Sequence, residues 1–271
     1  MKELQREGVL AAFMRRLGEV GRGVLLLDYD GTLAPFRPER DAAHMYAGVR
    51  EALSSMISGG GTRVVVISGR PASALLPLLG LAPAPEIWGC HGAERLHPNG
   101  RYELMPLDEA AVAGLSQATA FLMDNGLQRH CEPKPAGVAL HTRGLPDDEE
   151  KRVTGLVAPV WREIASRAGL SLRSFDGGHE LRVPGVDKGR VVEQILAECA
   201  PDEPVAFLGD DLTDEDAFAA LSGRGLSVLV RTEPRPTAAE VWLVPPKELL
   251  AFFTDWSHSL ARSRRLGTEL G

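Results

Sequence analysis

The sequence predicts an α/β protein in which a core of buried strands and packing helices is interrupted by a second, smaller α/β domain. Three observations carry this. Short unbroken apolar runs at 24–27, 64–67 and 205–208 alternate with segments of helical periodicity, as expected of strands covered on both faces by crossover helices. Each run ends in side chains able to do chemistry, and open α/β sheets bind ligands beyond the C-terminal ends of their strands. Between Gly89 and Gly185 the pattern changes to alternating, half-buried strands with long helices, which marks a separate unit. The expected division is residues 1–90 for the first part of the core, 91–185 for the inserted domain, and 186–271 for the second part of the core with a C-terminal tail. Glycines at both junctions would let the insertion hinge.

Taken in order, Leu10, Phe13, Met14 and Leu17 give helical spacing over about residues 3–17. The first buried strand, Val24 to Leu27, delivers Asp28 and is followed by Tyr29-Asp30-Gly31-Thr32-Leu33. Two carboxylates this close repel unless a cation lies between them or one holds a proton. The pair therefore suits a Mg²⁺ site, since Mg²⁺ prefers oxygen ligands, or a nucleophile beside an acid; an ordinary Asp-Gly turn is the plainer alternative. A helix over 47–58, with Val49, Leu53, Met56 and Ile57 on one face, stops at Gly59-Gly60-Gly61. The second strand, 64–67, closes on Ser68-Gly69-Arg70-Pro71, either a helix cap or an anion pocket. A third, Glu86-Ile87-Trp88, runs into Gly89-Cys90-His91-Gly92-Ala93-Glu94-Arg95.

Within the insertion, Asn99-Gly100 signals a hairpin, and helices are expected over 107–125 and 146–168. His141 and Arg143 share one face of an alternating strand, as do Glu180 and Arg182. Beyond it, Asp187 reads as the N-cap of a helix with Lys188 in the first turn. A cation is poorly placed there for the helix dipole, so either another partner favours it, a phosphate being one candidate, or it is a solvated surface lysine. The strand 205–208 ends in Gly209-Asp210-Asp211-Leu212-Thr213-Asp214-Glu215-Asp216. Thr213 and Asp216 have capping-box spacing, which leaves Asp210 and Asp211 for a metal. A strand over 227–230 follows, and 257–271 reads as a frayed tail containing Arg262, Arg264 and Arg265.

Composition narrows the function classes. The net charge of −7 argues against nucleic acid. No apolar run approaches the roughly 18 residues of a membrane span, and the charged N-terminus has no signal-peptide pattern. Three scattered cysteines form no disulfide framework or zinc site and suit a reducing cytoplasm.

The ordered set D-x-D-G-T, a strand-end hydroxyl, a lysine and an acidic pair resembles the four motifs of the haloacid dehalogenase superfamily. The resemblance implies a doubly wound parallel core, with Asp28 as nucleophile and Asp30 as general acid and then base. Ser68 and Lys188 would bind phosphoryl oxygens. Mg²⁺ would be held by Asp28, the Asp30 carbonyl and Asp210, with Asp211 and Asp214 assisting. With His91-Gly92-Ala93-Glu94-Arg95, Lys134, His141-Thr142-Arg143 and Gly177-Gly178-His179-Glu180-Leu181-Arg182 added, the chain is similar to the trehalose-6-phosphate phosphatases. That likeness implies that the insertion is a cap closing over the core to grip a disaccharide, with Arg70, His91, Glu94, Lys134, His141, Arg143 and Glu180 contacting sugar or phosphate. It also implies a monomer functionally linked to a trehalose-6-phosphate synthase. Rival expectations are a phosphatase for glucosylglycerol or glucosylglycerate phosphate, a catalytically silent sugar-phosphate binder, and a phosphomutase on the same core.

Overall fold

A computed structural model describes residues 1–37, 39, 42–175 and 177–268, with side chains through residue 262. In chain order the elements are β1 (Lys2–Glu3), α1 (Val9–Val20), β2 (Gly23–Leu27), α2 (Val49–Gly59), β3 (Thr62–Ile67), α3 (Ala72–Leu79), β4 (Glu86–Gly89), β5 (Glu94–Leu96) and β6 (Tyr102–Leu104). Next come α4 (Glu109–Asp124), β7 (Cys131–Lys134), β8 (Gly137–His141), α5 (Asp147–Ala168), β9 (Ser171–Phe175) and β10 (Gly178–Arg182). The chain continues with α6 (Lys188–Glu198), β11 (Val205–Gly209), α7 (Glu215–Leu221), β12 (Leu226–Val230), β13 (Val241–Leu243) and α8 (Lys247–Thr268). They form two compact units, Met1–Glu103 with Asp187–Gly271, and Leu104–Val186.

The first unit is built on a nine-stranded sheet in the order β1-β13-β12-β11-β2-β3-β4-β5-β6. Its six central strands are parallel, while β1 and β5 pair antiparallel. Strand β2 shows why the core is doubly wound. Leu25 and Leu27 point into the layer formed with α1, α2, α3 and α8, and Val24 and Leu26 into the layer formed with α6 and α7. From β2 the chain moves outward through β3 and β4, then returns to the other side of β2 as β11. The strand order reverses there, and this is where a doubly wound sheet opens a crevice.

The second unit is a four-stranded antiparallel sheet, β7-β8-β10-β9. Val138, Leu140 and Leu181 lie against α4 and α5 around Trp161. The opposite face carries Glu132, Lys134, His141, Glu180 and Arg182, which follows from the period-2 alternation of strands.

Several expectations are corrected. Residues 94–104, expected in the insertion, form β5 and β6 and extend the core sheet, so the compact division falls at Leu104 rather than 91. Alternation marks a half-buried strand without saying which sheet it joins. The first helix begins at Val9, not near residue 3, because β1 pairs with β13 and the Glu3 carboxylate takes the amides of Gly8 and Leu10. The segment from Ser257 to Thr268 is the continuation of α8 rather than a frayed tail, anchored by the buried Trp256 and Leu260. The side chains of Arg264 and Arg265 and residues 269–271 lie outside the described residues. No helix among the described residues is long and apolar enough to cross a membrane.

At the β4 side of the core a charged cluster locks three strands to α6. Buried Glu86 accepts from Arg63, Arg95 and the Trp88 indole, and Glu198 accepts from both arginines. Arg95 also stacks on Trp88 at 4.7 Å. Removing the shared acceptor leaves buried donors unpaired, so Glu86→Ala is expected to cost about 3–5 kcal/mol in urea unfolding. A loss below about 1 kcal/mol, the scale of an exposed pair, would mean that the cluster is solvated.

Candidate active site

Asp28 stands at the end of β2 with its amide bonded to the Leu208 carbonyl of β11, so the buried parallel pairing itself places the carboxylate. Asp210 follows β11, and Lys188 opens α6 beside them. All three are buried. The Lys188 ammonium donates to Asp28 Oδ1 at 2.5 Å and to Asp214 Oδ1 at 2.6 Å, which identifies the partners that its unfavourable dipole position calls for. Asp214 Oδ2 accepts the amides of Asp210 and Asp211, each at 2.9 Å. The expected Thr213–Asp216 capping box is therefore replaced by a reciprocal box between Asp211 and Asp214, and Asp211 itself is exposed.

Two of the glycines make room for the acids. Gly31 has φ +87°, and a Cβ there would lie 2.1 Å from Asp210 Oδ2; a Cβ on Gly209 would lie 2.4 Å from Asp214 Cγ. Both side chains press against bare backbone.

Ser68 is buried at the end of β3 and its Oγ accepts the Arg70 amide at 3.2 Å. Arg70 forms a two-pronged pair with Asp30, Nε to Oδ2 and Nη2 to Oδ1, both 2.6 Å. Its guanidinium also lies 5.8 Å from the centre of the buried Tyr29 ring. His91 is half-buried, takes a left-handed backbone (φ +58°), and donates its amide to the Ser68 carbonyl. Its ring lies against Gly69. Glu94, expected to meet substrate, is instead buried: Oε1 accepts the Ala72 amide opening α3 and Oε2 accepts the Tyr102 hydroxyl. Its carboxylate is committed inside the fold.

In the second unit Lys134 donates to Glu180 at 2.7 Å and lies 4.0 Å from Glu132, whose Oε2 is 2.6 Å from His141 Nε2. These four share the polar face of the sheet. Arg143, expected on the same strand as His141, lies beyond its end in the following turn, exposed, with its amide on the Gly177 carbonyl. Glu132 was not anticipated from sequence; the proline in Cys131-Glu132-Pro133-Lys134 hides the strand alternation that sets Glu132 and Lys134 side by side.

The core carboxylates suit a hard cation. Asp28, Asp210 and Asp214 offer oxygens that all lie within 4.8 Å of one another. Asp210 Oδ1 is buried with no hydrogen-bond partner among the described residues. An all-oxygen donor set containing one uncommitted carboxyl oxygen matches Mg²⁺ chemistry. Burial pushes the Asp28 carboxyl up to about 7, with Lys188 opposing and Asp214 adding to the rise. Burial, then Asp28 and Asp214, push Asp210 up to about 9. Burial would lower Lys188, but Asp214 and Asp28 outweigh it and hold the ammonium above its ordinary range.

The comparisons with known proteins come to bear on this geometry. Residues 26–243 match the protein-family model described as trehalose-phosphatase. A trehalose-phosphate phosphatase of Mycobacterium marinum is 34% identical over 250 residues, covering 86% of this chain and 61% of that protein. The chain thus spans about three fifths of the length of the relative. Among solved structures, Aspergillus fumigatus trehalose-6-phosphate phosphatase aligns with a TM-score of 0.66 at 23% identity, covering 92% of this chain and 98% of that one. The C-terminal domain of a Candida albicans trehalose synthase regulatory protein aligns at 0.67 and 13%, covering 90% and 97%. At these identities the two structures establish a common fold.

The folded-state pKa values of Asp28 and Asp210 lie above the ordinary 3.8. From there up to about 7 and about 9 the folded state holds protons that the unfolded chain has lost, so the two groups make stability fall as pH rises. Thermal melts in EDTA should show this fall, and added Mg²⁺ should raise the midpoint more near pH 8 than near pH 5. An equal Mg²⁺ effect at both would contradict a cation held by these carboxylates.

Proposed function

The chain belongs to the trehalose-phosphatase family, and from that premise we propose that it hydrolyses trehalose 6-phosphate to trehalose and inorganic phosphate, with Mg²⁺ as cofactor and Asp28 as nucleophile. The observation that carries the reading is the convergence of Asp28, Lys188, Asp210 and Asp214 at the reversal point of the sheet, drawn from three separate segments of the chain.

Asp28, Asp210 and the carbonyl of Asp30 would hold the cation, which supplies charge neutralisation to the transferring phosphoryl group. Asp214 would act through its hold on Lys188 and on the 210–211 amides. In the first step an oxygen of Asp28 attacks phosphorus while Asp30 gives a proton to the departing sugar oxygen. In the second, Asp30 takes a proton from water, whose oxygen attacks the aspartyl phosphate and frees phosphate and Asp28. Lys188 and Ser68 would donate to the phosphoryl oxygens. Because both Asp30 oxygens are bonded to Arg70, the guanidinium favours the ionised carboxylate, and loosening the fork would ease protonation of Asp30. An incoming phosphoryl group, itself an acceptor for a guanidinium fork, would compete for that arginine.

The demand for so many charges is quantitative. Phosphate-monoester hydrolysis calls for accelerations up to ~10²¹, nearly ~30 kcal/mol, of which positioning supplies about 7–11. The rest falls to charge stabilisation and to division into two steps.

For the sugar, the polar face bearing Glu132, Lys134, His141 and Glu180 supplies the carboxylates and cations that hydroxyl groups bind. A synthase making trehalose 6-phosphate is the implied upstream partner, and a reducing cytoplasm suits Cys90, Cys131 and Cys199, which form no disulfide with one another.

The test is phosphate release from trehalose 6-phosphate and a panel of other sugar phosphates, with Mg²⁺ or EDTA. Release should be cation-dependent, selective for trehalose 6-phosphate, and reduced at least about 10³-fold in Asp28→Asn. Release from another glycosyl phosphate, such as glucosylglycerate phosphate, would keep the chemistry and overturn the substrate. No release from any member would favour a silent sugar-phosphate binder. Glu180→Ala should raise KM for trehalose 6-phosphate by about tenfold or more while leaving hydrolysis of p-nitrophenyl phosphate unchanged; equal effects on both would remove Glu180 from sugar recognition.

A further inference from the structure

The 231–238 segment after β12 has no part in the reading above, yet it grips the acidic loop from outside. Arg231 Nη1 donates to the Asp210 carbonyl at 3.1 Å, and Arg235 Nε reaches the same oxygen at 3.4 Å. Arg235 Nη2 donates to the Asp211 carbonyl at 2.6 Å. With the two amides taken by Asp214 Oδ2, every main-chain donor and acceptor of Asp210 and Asp211 is fixed. Arg235 is fixed in turn. Its Nη1 bonds to Glu215, the residue that opens α7, and Glu215 also accepts the Thr237 hydroxyl and the Ala238 amide.

We propose that Arg235, supported by Arg231, is the positioning residue of the cation site: by holding the Asp210 and Asp211 carbonyls outward, it keeps the Asp210 carboxylate turned inward for the divalent ion. The carboxylate branches from the Cα between two immobilised peptide planes, so rotation of either plane swings Asp210 Oδ1, the buried oxygen that lacks a hydrogen-bond partner. Two guanidinium charges also lie behind a loop with five acids in seven residues and offset their repulsion. The fork matters as well as the charge: Arg235 spans two successive carbonyls, which a lysine ammonium on a flexible stem does not do with fixed geometry.

The inference rests on the cation reading, and the experiment separates the two. Mg²⁺ binding to the full chain is measured by calorimetry without substrate, beside the thermal midpoint in EDTA. Arg235→Ala is expected to weaken Mg²⁺ binding by about tenfold or more, well beyond its effect on the EDTA midpoint. Arg235→Lys should recover only a small part of the affinity, and Glu215→Gln, which loosens the guanidinium without removing it, should fall between wild type and Arg235→Ala. Mg²⁺ affinity in Arg235→Ala within about twofold of wild type would overturn the inference and leave the cation site standing. Absence of Mg²⁺ binding in wild type would overturn both. Should Arg235→Ala not fold, Arg231→Ala and Glu215→Gln decide the matter: wild-type affinity in both overturns the brace, and a loss in both supports it.

Discussion

One ammonium group holds the centre together. Asp28, Asp210 and Asp214 are buried within a few ångströms of one another, and three carboxylates removed from water without a counter-charge would be strongly unfavourable. Lys188 supplies that charge inside the cluster, bonded to two of the three. Its place in the first turn of α6 works against the helix dipole, and the two carboxylates reverse the balance. The same contact draws the start of α6 onto the end of β2 and onto the loop after β11. Asp214, oriented by Lys188, then orients the amides of Asp210 and Asp211.

The acids of the site are not interchangeable. Asp28 shares Lys188 and ends the central strand. Asp30 is held in the Arg70 fork, Asp211 is an exposed cap, and Asp214 shapes its loop from complete burial. Of these acids, Asp210 is the one that keeps a buried oxygen without a hydrogen-bond partner among the described residues. The environments differ, so five residues of one type stand in five chemically distinct settings.

The sequence shows the parts of this arrangement that have local signals. Apolar runs that stop abruptly at Asp28, Ser68 and Asp210 locate the strand ends, and with them most of the core site. What it hides is pairing across long distances. Nothing near Lys188 says that its partners lie 160 residues before it and 26 after it. Arg231 and Arg235 are silent because they bind main-chain carbonyls, which every residue carries. Glu94 enters the sequence reading through a family likeness as a substrate contact, and only its tertiary neighbours, the Ala72 amide and the Tyr102 hydroxyl, reveal a buried cap. The hairpin around Asn99-Gly100 is legible as a hairpin, but its attachment to β4 is a property of the sheet.

The reversal of strand order between β2 and β11 also has a consequence for the growing chain. β2 meets β3 within about 40 residues, but its partner on the other side is made only after the whole second unit. Val24, Leu26, Val65 and Ile67 are covered by α6 and α7, which likewise emerge only after the second unit. During translation, therefore, the nascent sheet carries an uncovered apolar face while residues 104–186 are produced. Such a face is the kind of surface that invites misassembly or a chaperone. The insertion thus sets a waiting time between making the strand that ends at Asp28 and burying it, and a longer insertion at this position would extend that exposure in proportion.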